Sequence, residues 1–221
     1  MKPLTLAAAS LALLAFVSPG SRASDNKAMD ADIIVVAEEW ARAKYLSKDD
    51  SERKEKMEAV GAKADALVTK YPGRVEALIW DGIVTSERAS LASVFSALGY
   101  ANKARDLLNE AYKMDPKALD AGAPTSLGVL YYRVPGFPIA WGDKDRARQL
   151  LEEAIRNAPR GRDAHYFYAD FLYEQGEYAK AEQVLKAGLA LPPHPERPVW
   201  DQYFPKVMEG LLLKVHSKMK S

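Results

Sequence analysis

The chain has 221 residues, no cysteine, and 31 Lys and Arg against 30 Asp and Glu, with 48% of its residues hydrophobic. That composition excludes a disulfide-stapled fold and a lipid-modified cysteine, and it makes a transition-metal site an unfavoured reading. The near balance of charge, with both signs interspersed, argues against a nucleic-acid surface, which needs clustered cations to displace counterions.

The first element reads as an export signal. Lys2 starts it, Leu4 to Val17 is an unbroken run poor in polar groups, Pro19-Gly20 breaks the run, and Ser21 and Ala23 are the small residues that a cleavage site requires. The run is shorter than the roughly 20 residues that a transmembrane helix needs. The expectation is therefore residues 1–23 as a cleaved leader and 24–221 as one domain, periplasmic or secreted, with no stable membrane insertion. A leader containing Lys2 and Arg22 takes two basic residues with it and leaves one acidic charge in excess.

Asp32 to Leu46 and Glu55 to Tyr71 follow as an opening pair of helices, the second carrying Ala62, Ala66 and Leu67 before Tyr71-Pro72. Beyond them one pattern occurs three times: a small residue, a leucine four later, and a proline eight after that. The copies are Ala104, Leu108, Pro116; Ala147, Leu151, Pro159; and Ala181, Leu185, Pro193. Ala111 and Ala154 extend the small-residue stripe in two of them. Ahead of the last two copies stand His165-x2-Tyr168-Ala169-x2-Leu172 and Pro124-x2-Leu127-Gly128-x2-Tyr131. Ahead of the first, the match decays to Leu78-x2-Asp81-Gly82-x2-Thr85.

This spacing resembles the tetratricopeptide repeat, with its W-x2-L-G-x2-Y first helix and A-x3-F…P second helix. In that design small residues let paired helices approach closely, larger ones fill the gaps between hairpins, and proline stops the second helix. The resemblance implies an all-α, TPR-like stack of helical hairpins, an α-solenoid, with its clearest repeats at about 75–118, 121–160 and 162–195. An end helix must close such an array. Residues 199–220, with Val207, Met208, Leu211, Leu212 and Val215 at helical spacing, fit that closing role.

Two hairpins are enlarged. Pro159 to Pro193 is the standard period of 34 residues, whereas Pro116 to Pro159 is 43 and Pro72 to Pro116 is 44. Most of the middle excess falls in the turn Arg133 to Asp143. That turn is apolar where a surface turn should be polar, since it brings Val134, Phe137, Ile139 and Trp141 between two prolines and two glycines. It reads either as a plug over the end of a hairpin or as a rigid lip over a binding cleft.

In tetratricopeptide arrays the first helices line the concave surface. Helical spacing then puts Ile79, Ile83 and Ser86, then Thr125, Val129 and Tyr132, then Tyr166, Asp170 and Tyr173 on that side. The expectation is an apolar-aromatic groove that takes a small hydrophobic ligand or a protein partner; the competing reading fills the concavity with core. No constellation supports catalysis or a cofactor. His165, His194 and His216 are far apart in sequence, and the glycine-containing segments lack the phosphate-cradling patterns. No metal site and no catalytic residue is expected.

The order of features further resembles the T component of TRAP transporters and its secreted relatives. The likeness rests on the Leu127-Gly128 to Tyr131-Tyr132 helix, the Val-Pro-Gly-Phe-Pro-Ile turn with Gly142-Asp143, and His165 to Gln175 leading into Ala181. It implies a non-catalytic periplasmic accessory that docks another envelope protein, such as a periplasmic substrate-binding subunit, and passes small hydrophobic ligands through a cleft. The absence of any cysteine departs from that family's lipoprotein members.

Overall fold

A computed structural model describes the backbone of residues 19–220 and side chains from Asn26 onward. The apolar run Leu4 to Val17 lies outside the described residues, and the expected cleavage point after Ala23 falls in the first turns of the first helix. Nine helices make up the described chain: α1 (Pro19–Leu46), α2 (Asp50–Lys70), α3 (Val75–Leu91), α4 (Val94–Met114), α5 (Ala118–Arg133), α6 (Lys144–Asn157), α7 (Arg162–Glu174), α8 (Tyr178–Leu189) and α9 (Pro198–Lys220). Consecutive helices pair as hairpins, and α9 closes the array against α8.

The repeated residues form the seams. Ala104, Leu108, Ala147, Leu151, Ala181 and Leu185 are all fully buried. Two of the leucines fill hollows left by glycine: a Cβ built on Gly82 would meet Leu108 Cγ at 2.5 Å, and one on Gly128 would meet Leu151 Cγ at 2.6 Å. His165 packs likewise beneath Gly188, with a separation of 2.7 Å to that virtual Cβ, and its Nδ1 lies 2.8 Å from the Gly161 carbonyl. It is a core histidine.

Local chemistry sets the helix ends. Asp49 caps α2 by accepting from the Glu52 amide at 2.8 Å, while the Glu52 carboxylate accepts from the Lys48 amide at 2.9 Å. Asp143 caps α6 through the amides of Asp145 and Arg146 and thereby ends the long turn. Helices α4 and α6 stop two residues before Pro116 and Pro159. At the start of α5, Leu119, Asp120 and Ala121 adopt left-handed conformations, with φ of 48°, 53° and 58°, before the helix proper begins.

The two enlargements differ in kind. The middle hairpin spends its extra residues in the turn, whereas the first has long helices, with 17 residues in α3 and 21 in α4. The array also curls back on itself. Helix α1 touches α9, where Tyr45 stacks on Tyr203 with ring centroids 5.9 Å apart.

Asp81 lies in the seam between α3 and α4, 2% exposed, with the Thr85 hydroxyl donating to it at 3.0 Å and Lys103 Nζ at 3.6 Å. Burial pushes its pKa up to about 6, against the attraction of Lys103. The unfolded chain ionises this group near the ordinary carboxylate value. Its contribution to stability is therefore complete below about pH 4 and lost as pH rises through about 6. Asp81→Asn should consequently gain stability relative to the parent between pH 4 and pH 7, on the order of 2 kcal/mol. Urea denaturation of both proteins across that range reads the difference; a constant difference would refute the assignment.

Candidate functional site

First helices of a hairpin array run parallel, so α1, α3, α5 and α7 present one wall, and with the start of α4, the long turn and the segment before α9 they enclose a cleft of about 1010 Å³. Pockets for small molecules span roughly 300–1,000 Å³ and are mostly apolar. This one is mostly apolar too. Ile33, Ile34, Ala37 and Trp40 of α1 face Trp80 and Ile83 of α3, Thr125 and Val129 of α5, and Phe167 of α7 across it.

The far rim is an apolar lip. Val94 and Leu98 at the start of α4 meet Val134, Pro135 and Ile139 of the long turn around the cleft mouth. Phe95 and Phe137 stand beside them, 99% and 94% exposed. Such exposure of large apolar side chains marks a contact surface rather than a core.

The long turn divides in two. Trp141 folds back on the hairpin end: its Nε1 donates to Asn102 Oδ1 at 2.7 Å, its ring meets Tyr131 edge-on, and the Arg105 guanidinium lies 4.6 Å above it. Phe137 and Ile139, by contrast, project from the surface. One half of the segment is an anchor and the other a lip.

The residues placed on the concave side by helical spacing also separate. Ile83, Thr125 and Val129 line the cleft, with Ile139 at its mouth, and Ser86 joins them. Ile79 is fully buried in the seam with Ala111 and Ala123. Tyr132, Tyr166, Asp170 and Tyr173 lie outside the cleft wall, in the packing between α5, α7 and their neighbours. Tyr132 rests edge-on against Phe171 and donates to Asp170 at 2.5 Å; Asp170 also takes the Arg133 guanidinium. Tyr166 packs edge-on against Phe204 of α9, and Tyr173 tilts against Tyr178. Burial raises the Tyr132 hydroxyl well above its ordinary pKa and that of Tyr166 to about 12, so both stay protonated.

Sequence reasoning missed the α1 wall, Trp80 and the α4 side of the lip. The available signal was the Ile33 to Trp40 stretch, which alternates in helical register but carries no repeat motif. Among the described residues no group of three or more His, Asp or Glu is placed to hold a metal ion, and no helix is long and apolar enough to cross a membrane.

A tetratricopeptide-repeat family model matches residues 141–195. None of the curated proteins matches the sequence significantly. Among solved structures the chain is similar to TTC0263, a thermophilic tetratricopeptide protein of Thermus thermophilus, at 22% identity over 74% of this chain and 81% of that one, with a TM-score of 0.52. Weaker likenesses are to MamA of AMB-1, at 19% identity over 89% and 90% of the two chains with a TM-score of 0.37. Yeast Tom70 follows at 15% identity over 87% and 44%, with a TM-score of 0.38. The glycine–leucine seams, the family match over residues 141–195 and the TTC0263 fold agree on the architecture: the described chain is an all-α stack of helical hairpins with a tetratricopeptide-like fold.

Proposed function

We propose that this is a non-catalytic protein of the cell envelope that holds a small hydrophobic ligand in the cleft framed by α1, α3, α5 and α7, as an accessory of a TRAP-type transport system. One observation carries the reading: an array of first helices that frames about 1010 Å³ of mostly apolar space. Water in such a space is readily displaced by apolar surface, at about 25 cal/mol per Å² removed from solvent.

The exposed lip favours a second, compatible role. Phe95 and Phe137 offer an apolar patch next to the mouth, suited to docking another envelope protein such as a substrate-binding subunit that delivers or receives the ligand.

The cleft reading is tested with a neutral apolar fluorophore such as N-phenylnaphthylamine. It should bind the parent and lose about tenfold in affinity in the double variant Ile83→Gln, Val129→Gln, a change of about 1.4 kcal/mol. Both positions line the cleft and are part-buried, Ile83 at the edge of the core, so a modest drop in melting temperature with the fold retained is expected alongside. Undiminished binding in the variant would place the ligand elsewhere.

A further inference from the structure

We infer that the cleft selects an elongated apolar molecule with a positive charge at one end; this deepens the cleft reading and rests on it. Every cation in the lining already has an acidic partner. Lys44 Nζ sits 2.6 Å from Glu87, Arg197 3.1 Å from Asp163, and Arg133 is held by Asp170 and, at 3.6 Å, Glu174. The acids are in excess. Asp30 and Asp120 also line the cleft, are exposed, and have no cation within ion-pair distance among the described residues. Glu76 lines it too, reaching only its neighbour Arg74 at 3.4 Å with one oxygen, while the other is buried without a partner.

These three carboxylates, two of them without a cation, gather at one end. Glu76 stands in the first turn of α3 and Asp120 at the start of α5, on parallel helices, and Asp30 lies toward the same end of α1. Each helix N-terminus carries about half a positive charge, which offsets part of the charge on Glu76 and Asp120. Asp30, twelve residues into α1, has no terminus to offset it. Among the residues that line this end, carboxylates outnumber cations. The opposite end is the apolar lip of Val94, Leu98 and Ile139. Asp120 to Arg133 along α5 spans about 20 Å at 1.5 Å per residue, so the charged and greasy ends are an extended alkyl chain apart.

An anion entering this cleft would find no free donor cation and would meet unopposed carboxylates. A quaternary ammonium or amine would complement them.

The test compares three probes of one chain length, below micelle formation, by calorimetry on the intact protein: dodecyltrimethylammonium, a neutral dodecyl glycoside, and dodecyl sulfate. The expected order is cation, neutral, anion, with about tenfold between the first and last. Raising the salt should compress the order, because Asp30 and Asp120 are solvent-exposed. The double variant Asp30→Asn, Asp120→Asn should erase most of the preference and leave the neutral probe's affinity intact. Equal or tighter binding of the sulfate, or a preference that survives in the variant, would overturn the charge selectivity while leaving the cleft reading standing. If no probe binds, the cleft reading fails and this inference with it.

Discussion

Leu151→Ala should cost about 3 kcal/mol, and Gly128→Ala should be destabilising too, although glycine to alanine inside a helix ordinarily gains close to 1 kcal/mol. The reason is one contact. Leu151 is fully buried and its Cγ would lie 2.6 Å from a Cβ at position 128, with the Ala147 carbonyl at 3.4 Å from the same point. An added methyl has to displace a branched side chain that cannot yield, an overpacking cost of about 1–3 kcal/mol that exceeds the propensity gain. In the double variant the same methyl enters the space that leucine vacated. The combined loss should therefore fall short of the sum of the single losses by about 1–2 kcal/mol. Denaturant midpoints for the parent, the two single variants and the double variant measure this coupling. Strict additivity would mean that glycine and leucine do not interlock across the seam, and with it the explanation of the repeated small residues would fail. The Gly82–Leu108 pair, with an even closer 2.5 Å, should behave in the same way.

That interlock explains which parts of the molecule could be read in advance. Ala104, Ala147 and Ala181 recur at fixed distances from leucine and proline because each hairpin solves the same packing problem, so the all-α stack was legible from spacing alone. The cleft was legible only in part. Helical register turns Ile83, Thr125 and Val129 to the side where the cleft lies, but register describes a single helix and says nothing of how the array curls. The curl brings α9 across to α1, which encloses Tyr166 against Phe204 and leaves Tyr132 bonded to Asp170 in the α5–α7 packing. Trp40, Trp80 and the α4 lip also enter the site through tertiary contact. They belong to no shared motif: Trp40 and Trp80 meet where α1 touches α3, and the lip forms where the start of α4 and the long turn share the cleft.

Arg162 is the residue through which that closure should fail most sharply. It is 5% exposed at the first position of α7, yet its guanidinium reaches across to the closing helix: Nη1 donates to Asp201 at 2.8 Å, and Nη2 donates to the carbonyls of Leu191 and Pro192 at 2.7 and 3.0 Å. The Trp200 ring lies 5.5 Å away. Arg162→Met keeps the length of the stem but strands one carboxylate and two carbonyls in a half-buried place. Removing one member of a buried charged network costs about 3–5 kcal/mol, and the partial exposure of Asp201 points to the lower figure. Asp201→Asn in the Arg162→Met background should recover part of the loss, since no uncompensated charge then remains. A functional consequence follows from position. Residues 194–197, directly before α9, form part of the cleft wall, so a loosened α9 should weaken binding of the neutral fluorophore and expose the 190–198 connection to protease. A stability loss below about 1 kcal/mol, or undisturbed binding alongside a large loss, would separate the closing helix from the cleft and show that the wall holds its shape without it.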